Sequence, residues 1–217
     1  MSQPVSDAKK MIARRIAKEF EQVEDITFVN VGVGIPSLVA EYITNPHVVI
    51  QAENGMLGVG PFAEGDDVDF NLINASRQQV TLTEGCSFMD SAASFAMIRG
   101  GHIDATVIGA FEVDEGGSVA NWIIPGGRKL GVGGGMDLVS GAKRVIIAMQ
   151  HTGKDGSIRI KRECSLPITA HGEVDLLVTD YAVFEFVDGT MYLREIAPGK
   201  TLEDIKSTTE AKFEIGF

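Results

Sequence analysis

A chain of 217 residues with 44% apolar and 23% charged residues is long enough to bury a substantial core and too apolar to be disordered. A net charge of −11 with no long Lys/Arg run excludes the basic footprint of a nucleic-acid binder, although a few local donors can still hold a small anion. Two cysteines, Cys86 and Cys164, supply neither a disulfide framework nor a metal spacing, and no apolar run approaches the roughly 18 residues of a membrane span, so a cytoplasmic protein with no membrane role is expected.

Residues 1–20 carry charge throughout and hold no apolar signal core. Residues 6–23 read as an amphipathic helix. Ser6 is the candidate N-cap, and Ala8, Met11, Ile12, Ile16 and Phe20 form one apolar stripe. A strand over 26–31 ends at Gly32-Val33-Gly34-Ile35-Pro36, and Pro36 suits the first turn of a helix over 37–42. Residues 48–51 are the next strand and run directly into Glu53-Asn54-Gly55. Residues 86–99 read as a helix stopped by Gly100-Gly101. Further strands are expected over 103–109, 144–149, 176–179, 183–187 and 191–196, with a hairpin turn at Asp188-Gly189. Thr201 and Asp204 form a loose capping box for a last helix over 201–208. Early strands alternate with helices and late strands cluster. The fold class is therefore α/β: an open, largely parallel sheet with flanking helices and an antiparallel part near the C-terminus. With no linker, repeat or low-complexity tract, residues 1–217 are expected to form one domain.

Glu53 follows an apolar strand and precedes a glycine-rich stretch. Ligands of open α/β sheets lie off the carboxyl ends of strands. A glutamate is ionised at neutral pH and can attack an acyl carbon without a general base. It can equally cap a turn or face solvent. Gly133-Gly134-Gly135 ahead of Met136-Asp137-Leu138 frees backbone N–H groups to meet a phosphate or an oxyanion, or else makes a connector. The 25 glycines of the chain often stand beside polar residues, where backbone can approach a ligand closely. Gly32-Val33-Gly34-Ile35-Pro36-Ser37 lacks the third glycine of a dinucleotide fingerprint. His47, His102, His151 and His171 show no metal-ligand spacing, so no metal is expected, and each histidine reads as structural or solvent-facing. Ser87, Ser91 and Ser94 lack a nucleophile elbow. Trp122 lines a cleft or packs in the core.

Glu53-Asn54-Gly55 with Leu57-Gly58 and Gly60-Pro61 is similar to the nucleophile motif of family I CoA-transferases. Ser91-Ala92, the run from Ser94 through Gly100-Gly101-His102-Ile103-Asp104, Val113-Asp114, Ala120-Asn121-Trp122 and Gly133-Gly134-Gly135-Met136-Asp137-Leu138 match that family in order and spacing over nearly the whole chain. The set resembles the B-type chain of two-subunit acetoacetate, acetate, butyrate or 3-oxoadipate CoA-transferases. The resemblance implies a CoA-transferase-type sheet, shared with some sugar-phosphate isomerases. It also implies ping-pong transfer of coenzyme A between short carboxylic acids through a glutamyl-CoA thioester on Glu53. Coenzyme A is then a substrate, and no cofactor is required. Oxyanion donors are implied at Gly134 and Gly135, beside Gly133, and Asn54 shapes the turn at the nucleophile. An A-type CoA-transferase subunit is implied as partner, in an A1B1 or A2B2 assembly, with the active site at the contact between the two chains. Arg99 and Arg128 are the nearest basic candidates for the site, and both read better as surface or helix-end residues.

Ala52 stands where the family often has Ser, Gly135 where many relatives have Ala, and Phe111 where many have Gln. Phe111 bears on the acyl pocket and so leaves the substrate open. Two other readings use the same fold: an acyl-CoA hydrolase with water as acceptor, and a non-catalytic or sugar-phosphate-binding relative.

Overall fold

A computed structural model describes residues 5–127 and 131–217. Arg128 falls outside these described residues. The chain opens with helix α1 (Asp7–Ala17), continued by a 3-10 turn at Lys18–Phe20. Ile12, Ala13, Ile16 and Phe20 are buried, as the apolar stripe requires. Complete burial of one such large aliphatic side chain contributes roughly 1.5–3 kcal/mol. Ser6 occupies the N-cap position but makes no side-chain cap bond.

There follow β1 (Thr27–Val31), α2 (Ile35–Val39), β2 (Val48–Ala52), β3 (Met56–Phe62), β4 (Val80–Phe88), α3 (Ser91–Arg99) and β5 (Ala105–Ile108). Next come the short β6 (Glu112–Asp114) and β7 (Val119–Ala120), then α4 (Gly135–Gly141), β8 (Val145–Ala148), β9 (Ile160–Lys161) and β10 (Leu176–Val178). The hairpin β11 (Ala182–Val187) and β12 (Thr190–Ile196), helix α5 (Leu202–Ser207) and β13 (Glu214–Ile215) complete the chain. Asp188 takes a positive φ in the tight turn between β11 and β12, and Thr201 and Asp204 form a full capping box on α5.

Ten strands make one sheet in the order β13-β12-β11-β10-β8-β5-β1-β2-β3-β4. Its centre, β10-β8-β5-β1-β2, is wholly parallel. Parallel strands need both faces covered, and alternate residues of β1 show how this is done. Val29 packs with Ile12 and Ile16 of α1, whereas Phe28 packs with Ile98 of α3 and Leu138 of α4. The small sheet β7-β6-β9 adds Val113, Val119 and Ile160 to a second buried cluster around Phe184 and Leu193. Glu19 bonds both Arg15 and Arg144 at 2.6 Å and so ties α1 to the start of β8.

Two expectations need correction. The helix expected over 86–99 starts only at Ser91, capped by Asp90, whose carboxylate accepts from the Ala93 N–H at 2.8 Å. Cys86, Ser87 and Phe88 instead end β4, where Ser87 pairs with Leu57 and Phe88 with Met56 of β3. The antiparallel part is also not confined to the C-terminus, because β3 and β4 add a second antiparallel wing beyond β2. Gly58 and Gly60 disguise β3 as a loop. They are needed because β4 passes so close that a Cβ at either would strike Thr83 or Thr81, and the register shifts there as at a bulge.

Candidate active site

The strand order reverses at β1. From β1 the chain goes to β2 on one side and returns through α3 to β5 on the other. The crevice beyond the carboxyl ends of β1, β2 and β5 is therefore the switch point at which open α/β sheets bind ligands.

Glu53 is the first residue after β2, at the rim of that crevice. Its turn is closed by the Gly55 N–H donating to the Ala52 carbonyl at 3.0 Å. Gly55 holds φ at +121°, and a Cβ there would collide with the Met89 carbonyl oxygen. The Gly55 carbonyl accepts from the Met89 N–H at 2.9 Å. The chain beside Glu53 is thus bound on one side to the segment that leads into α3. On the other side the exposed Asn54 donates Nδ2 to the Ile73 carbonyl at 2.8 Å, which pins the turn to the loop between β3 and β4.

The carboxylate of Glu53 is half-buried, and its Oε2 accepts from Asn30 Nδ2 at 3.2 Å. Asn30 lies near the carboxyl end of β1 and is fully buried. Two more buried polar groups extend this contact: Asn30 Nδ2 donates to Gln51 Oε1 at 2.6 Å, and Gln51 Nε2 donates to Ser94 Oγ at 2.8 Å. Asn30 belongs to no motif read from the sequence, Gln51 enters that reading only as the end of the strand before Glu53, and Ser94 enters it as a serine lacking an elbow and as the first residue of a family-like run, with no role at the site. The signal they do carry is one polar residue in each of two apolar strands, Phe28-Val29-Asn30-Val31 and Val49-Ile50-Gln51-Ala52.

The glycine loop comes to the same place. A Cβ on Gly134 would lie 3.9 Å from Cγ of Glu53 and 2.9 Å from Cζ of Phe95 on α3. The Gly134 N–H has no partner among the described residues, whereas the Gly135 N–H donates to the Val132 carbonyl at 3.1 Å, inside its own loop. Gly133 is exposed at φ +54°, and a Cβ added to it would meet nothing within 4 Å. Gly135 faces Asn121, which is held by Thr169: Thr169 Oγ1 donates to Asn121 Oδ1 at 2.7 Å and accepts from the Asn121 N–H at 3.1 Å. The structure thus brings Glu53 and Gly134 together, sets Gly135 on the Asn121 side of the loop, and leaves Gly133 and the Asn54 side chain turned away.

Arg99 pairs with Asp137 of α4 at 2.6 Å and covers the Phe95 ring, which makes it a helix-end residue linking α3 to α4. Trp122 is half-buried, and its indole nitrogen is buried without a partner among the described residues. His47, His102 and His171 are exposed, and His151 is inside the core. Among the described residues no three His, Cys, Asp or Glu side chains group as metal ligands would, and no helix is long and apolar enough to cross a membrane.

The coenzyme A transferase family model matches residues 9–208. The chain belongs to that family. As a CoA-transferase chain it is 49% identical over 210 residues to the beta chain of the acetate CoA-transferase of Escherichia coli K12, covering 96% of this chain and 94% of that one. It is 45% identical over 212 residues to the mitochondrial succinyl-CoA:3-ketoacid coenzyme A transferase 2 of Homo sapiens, covering 96% of this chain and 40% of that one. Its fold matches the solved acyl-CoA transferase apoenzyme of Escherichia coli O157:H7 with a TM-score of 0.77 at 24% identity. That match takes in 100% of this CoA-transferase chain but 43% of the other. The chain therefore spans nearly the whole of the bacterial beta chain and less than half of each of the two longer proteins.

Proposed function

We propose that this chain is the nucleophile-bearing half of a two-subunit CoA-transferase that moves coenzyme A between short carboxylic acids. The observation that carries the reading is the placement of the Glu53 carboxylate at the sheet's switch point, with Asn30 Nδ2 on one oxygen and Gly134 beside its Cγ.

One oxygen of Glu53, Oε1, adds to the acyl-CoA carbonyl carbon. The carbon–sulfur bond breaks, CoA leaves as thiolate, and a mixed anhydride remains. The thiolate then adds to Cδ of Glu53. The bond between Cδ and Oε1 breaks, the first carboxylate departs with Oε1, and a glutamyl-CoA thioester is left. A second carboxylate enters and the steps run in reverse. Thioesters of nearly equal energy are exchanged, so coenzyme A serves as substrate, and neither ATP nor a metal is called for. Each addition places negative charge on an oxygen, and a preorganised N–H donor is the economical way to stabilise it. The Gly134 N–H suits this role best. Gly135 serves only when the loop releases its amide from Val132, and Asn54 contributes by fixing the turn.

The acids are inferred to be of the acetate and 3-ketoacid type, as in the names of the two relatives. Phe111, half-buried beyond the end of β5 and bonded through its N–H to the Ala120 carbonyl at 2.8 Å, is the candidate for shaping the acyl pocket. The bacterial relative is a beta chain, and the longer transferases have room for a second half of similar size. These relatives support the reading of a separate A-type partner in a hetero-oligomer, in the cytoplasm expected from the sequence.

The test is covalent trapping. The protein with its A-type partner is incubated with acyl-CoA and no acceptor, reduced with borohydride and digested. The mass change expected of a reduced glutamyl thioester should map to the peptide containing Glu53. A label on another residue, or none with any short acyl-CoA, would overturn the assignment.

A further inference from the structure

In a parallel sheet, residues paired across neighbouring strands point their side chains to the same face. Asn30 of β1 pairs with Gln51 of β2 and with Thr106 of β5, so the three form one polar row across the centre of the sheet. The row faces α3, which supplies Ser94. All four residues are buried with no solvent exposure. Each would cost roughly 1–3 kcal/mol if left unbonded, and apolar residues of similar size would remove that cost without a network. The bonds lead outward to Glu53.

The polarity of the row has a direction. Asn30 Nδ2 faces acceptors: Gln51 Oε1, Glu53 Oε2 and, at 3.3 Å, the Gln51 carbonyl. A flipped Asn30 amide would turn its oxygen onto the same acceptors. Asn30 Oδ1 instead looks toward the Thr106 hydroxyl at 3.5 Å. Gln51 must present oxygen to Asn30, and its own amide is held that way by Nε2 donating to Ser94 Oγ.

We infer that Asn30 takes part in the reaction at Glu53, and that Gln51 and Ser94 are positioning residues that act through it. The inference rests on Glu53 being the nucleophile. By holding Oε2, Asn30 leaves Oε1 as the oxygen that meets the acyl group. When thiolate adds to Cδ, the electron pair of the Cδ–Oε2 double bond moves onto Oε2, where Nδ2 already donates. When the pair returns, the bond to Oε1 breaks and the carboxylate leaves. Asn30 thus supplies a side-chain donor for charge on the glutamyl oxygen, complementing a backbone donor for charge on the acyl oxygen.

Two substitutions at one position separate this role from packing. Asn30→Asp keeps the shape and exchanges the donor for an acceptor. The variant should fold, because Gln51 can turn its amide to donate to the new carboxylate and accept the Ser94 hydroxyl through Oε1; since that carboxylate stands against Glu53 Oε2, where two carboxylates can share a proton, the rate is followed upward in pH until the shared proton is lost. Asn30→Ala removes shape and donor together. With the A-type partner present, the rate of glutamyl-thioester formation is measured in single turnover, alongside the KM for acyl-CoA. Asn30→Asp should lose about 10²-fold in that rate, at least as much as Asn30→Ala, with KM little changed. Ser94→Ala places a good helix former in α3 and should slow the same step by roughly 3–10-fold. If Asn30→Asp is milder than Asn30→Ala and Ser94→Ala matches wild type, Asn30 only fills space and the inference fails. Glu53→Gln is run beside them: an active Gln variant defeats the nucleophile reading itself, whereas an inactive one beside fully active Asn30 variants defeats this inference alone.

Discussion

Gly134 is wedged between Glu53 and Phe95: a Cβ added to it would stand 3.9 Å from the glutamate Cγ and only 2.9 Å from the ring. Its backbone angles suit any residue, with φ at −85°, so space rather than conformation demands glycine there. Gly134→Ala should push Phe95 or the loop by a few tenths of an ångström, and Gly134→Val by more. A displaced oxyanion donor costs about 10²–10³ in rate, and the valine variant should approach that. Gly135 begins α4, and a Cβ there meets Asn121 at an ordinary 3.6 Å. Gly135→Ala should therefore stay within a few-fold of wild type. Steady-state kcat with the partner present decides the ranking, and a severe Gly135→Ala beside a harmless Gly134→Val would place the oxyanion site elsewhere.

The length of the Glu53 side chain gives a second expectation. The turn from Ala52 to Gly55 is held at both ends, by Met89 and by Ile73, so the backbone has little freedom to follow a shortened arm. Glu53→Asp retracts the carboxylate by about 1 Å or more and breaks its contact with Asn30; misplacements of that size cost on the order of 10²-fold. Glu53→Gln leaves the shape and removes the proposed nucleophile, so transfer should fall to background while the melting temperature stays near that of wild type. Full transfer by the purified Gln variant would end the glutamyl mechanism.

His151 supplies a prediction about stability. It is buried with Nδ1 2.9 Å from Thr179 Oγ1 and Nε2 3.1 Å from Thr209 Oγ1, and its ring stacks on Tyr181 at 4.7 Å. Burial lowers its pKa from 6.5 to about 4. Asp180 pulls it upward, and Lys200, which lies over the Tyr181 ring, adds to the lowering. The folded protein therefore keeps His151 neutral where the unfolded chain would protonate it. Its contribution is complete above about pH 6.5, fades as pH falls, and is gone near pH 4. The gap corresponds to about 3 kcal/mol. His151→Gln keeps polar atoms for the threonines and removes the titration. Urea denaturation should find the variant less stable at pH 7.5, with the difference shrinking by pH 5. A constant difference at both pH values would show that His151 does not set the acid limb.

Much of this is legible in the sequence where one physical rule dominates. The strands β5, β8 and β10 are short apolar runs because both their faces are covered, and α5 carries its capping box in plain view. Glu53 and the glycine loop are legible as a motif set. The wing of β3 and β4 is hidden because its glycines answer to a neighbouring strand that local patterning does not reveal. The row of Asn30, Gln51 and Thr106 is hidden for a related reason. Each is one polar residue in an apolar strand, and only the register of β1 against β2 and β5 turns three isolated exceptions into one network.

The surface around Glu53 leads to the last expectation. Val33 beyond β1 is 65% exposed, Phe88 at the end of β4 is 60% exposed, and Met136 in the first turn of α4 is 41% exposed. One such residue is ordinary on a protein surface, but three on the segments that frame one crevice mark a surface meant to be covered. Around the proposed nucleophile stand the Asn30 side-chain donor and the Gly134 amide, while the Arg99 guanidinium is engaged by Asp137 rather than free to hold an incoming carboxylate. A second chain docked across the crevice would cover the apolar rim and add the missing carboxylate-binding groups. The isolated chain should therefore show little or no transfer, and activity should appear as an A-type partner is titrated in. The contact is expected to be obligate in kind, with burial above roughly 2,000 Å² in total. Val33→Asp and Phe88→Asp should each raise the concentration of partner needed for half-maximal activity, because either change buries an unpaired charge on docking. The titration is run at fixed acyl-CoA and acetate, and the rate should saturate near one A-type chain per copy of this one. Full activity from this chain alone, as a monodisperse monomer, would show that the crevice is complete and that its apolar rim serves something else.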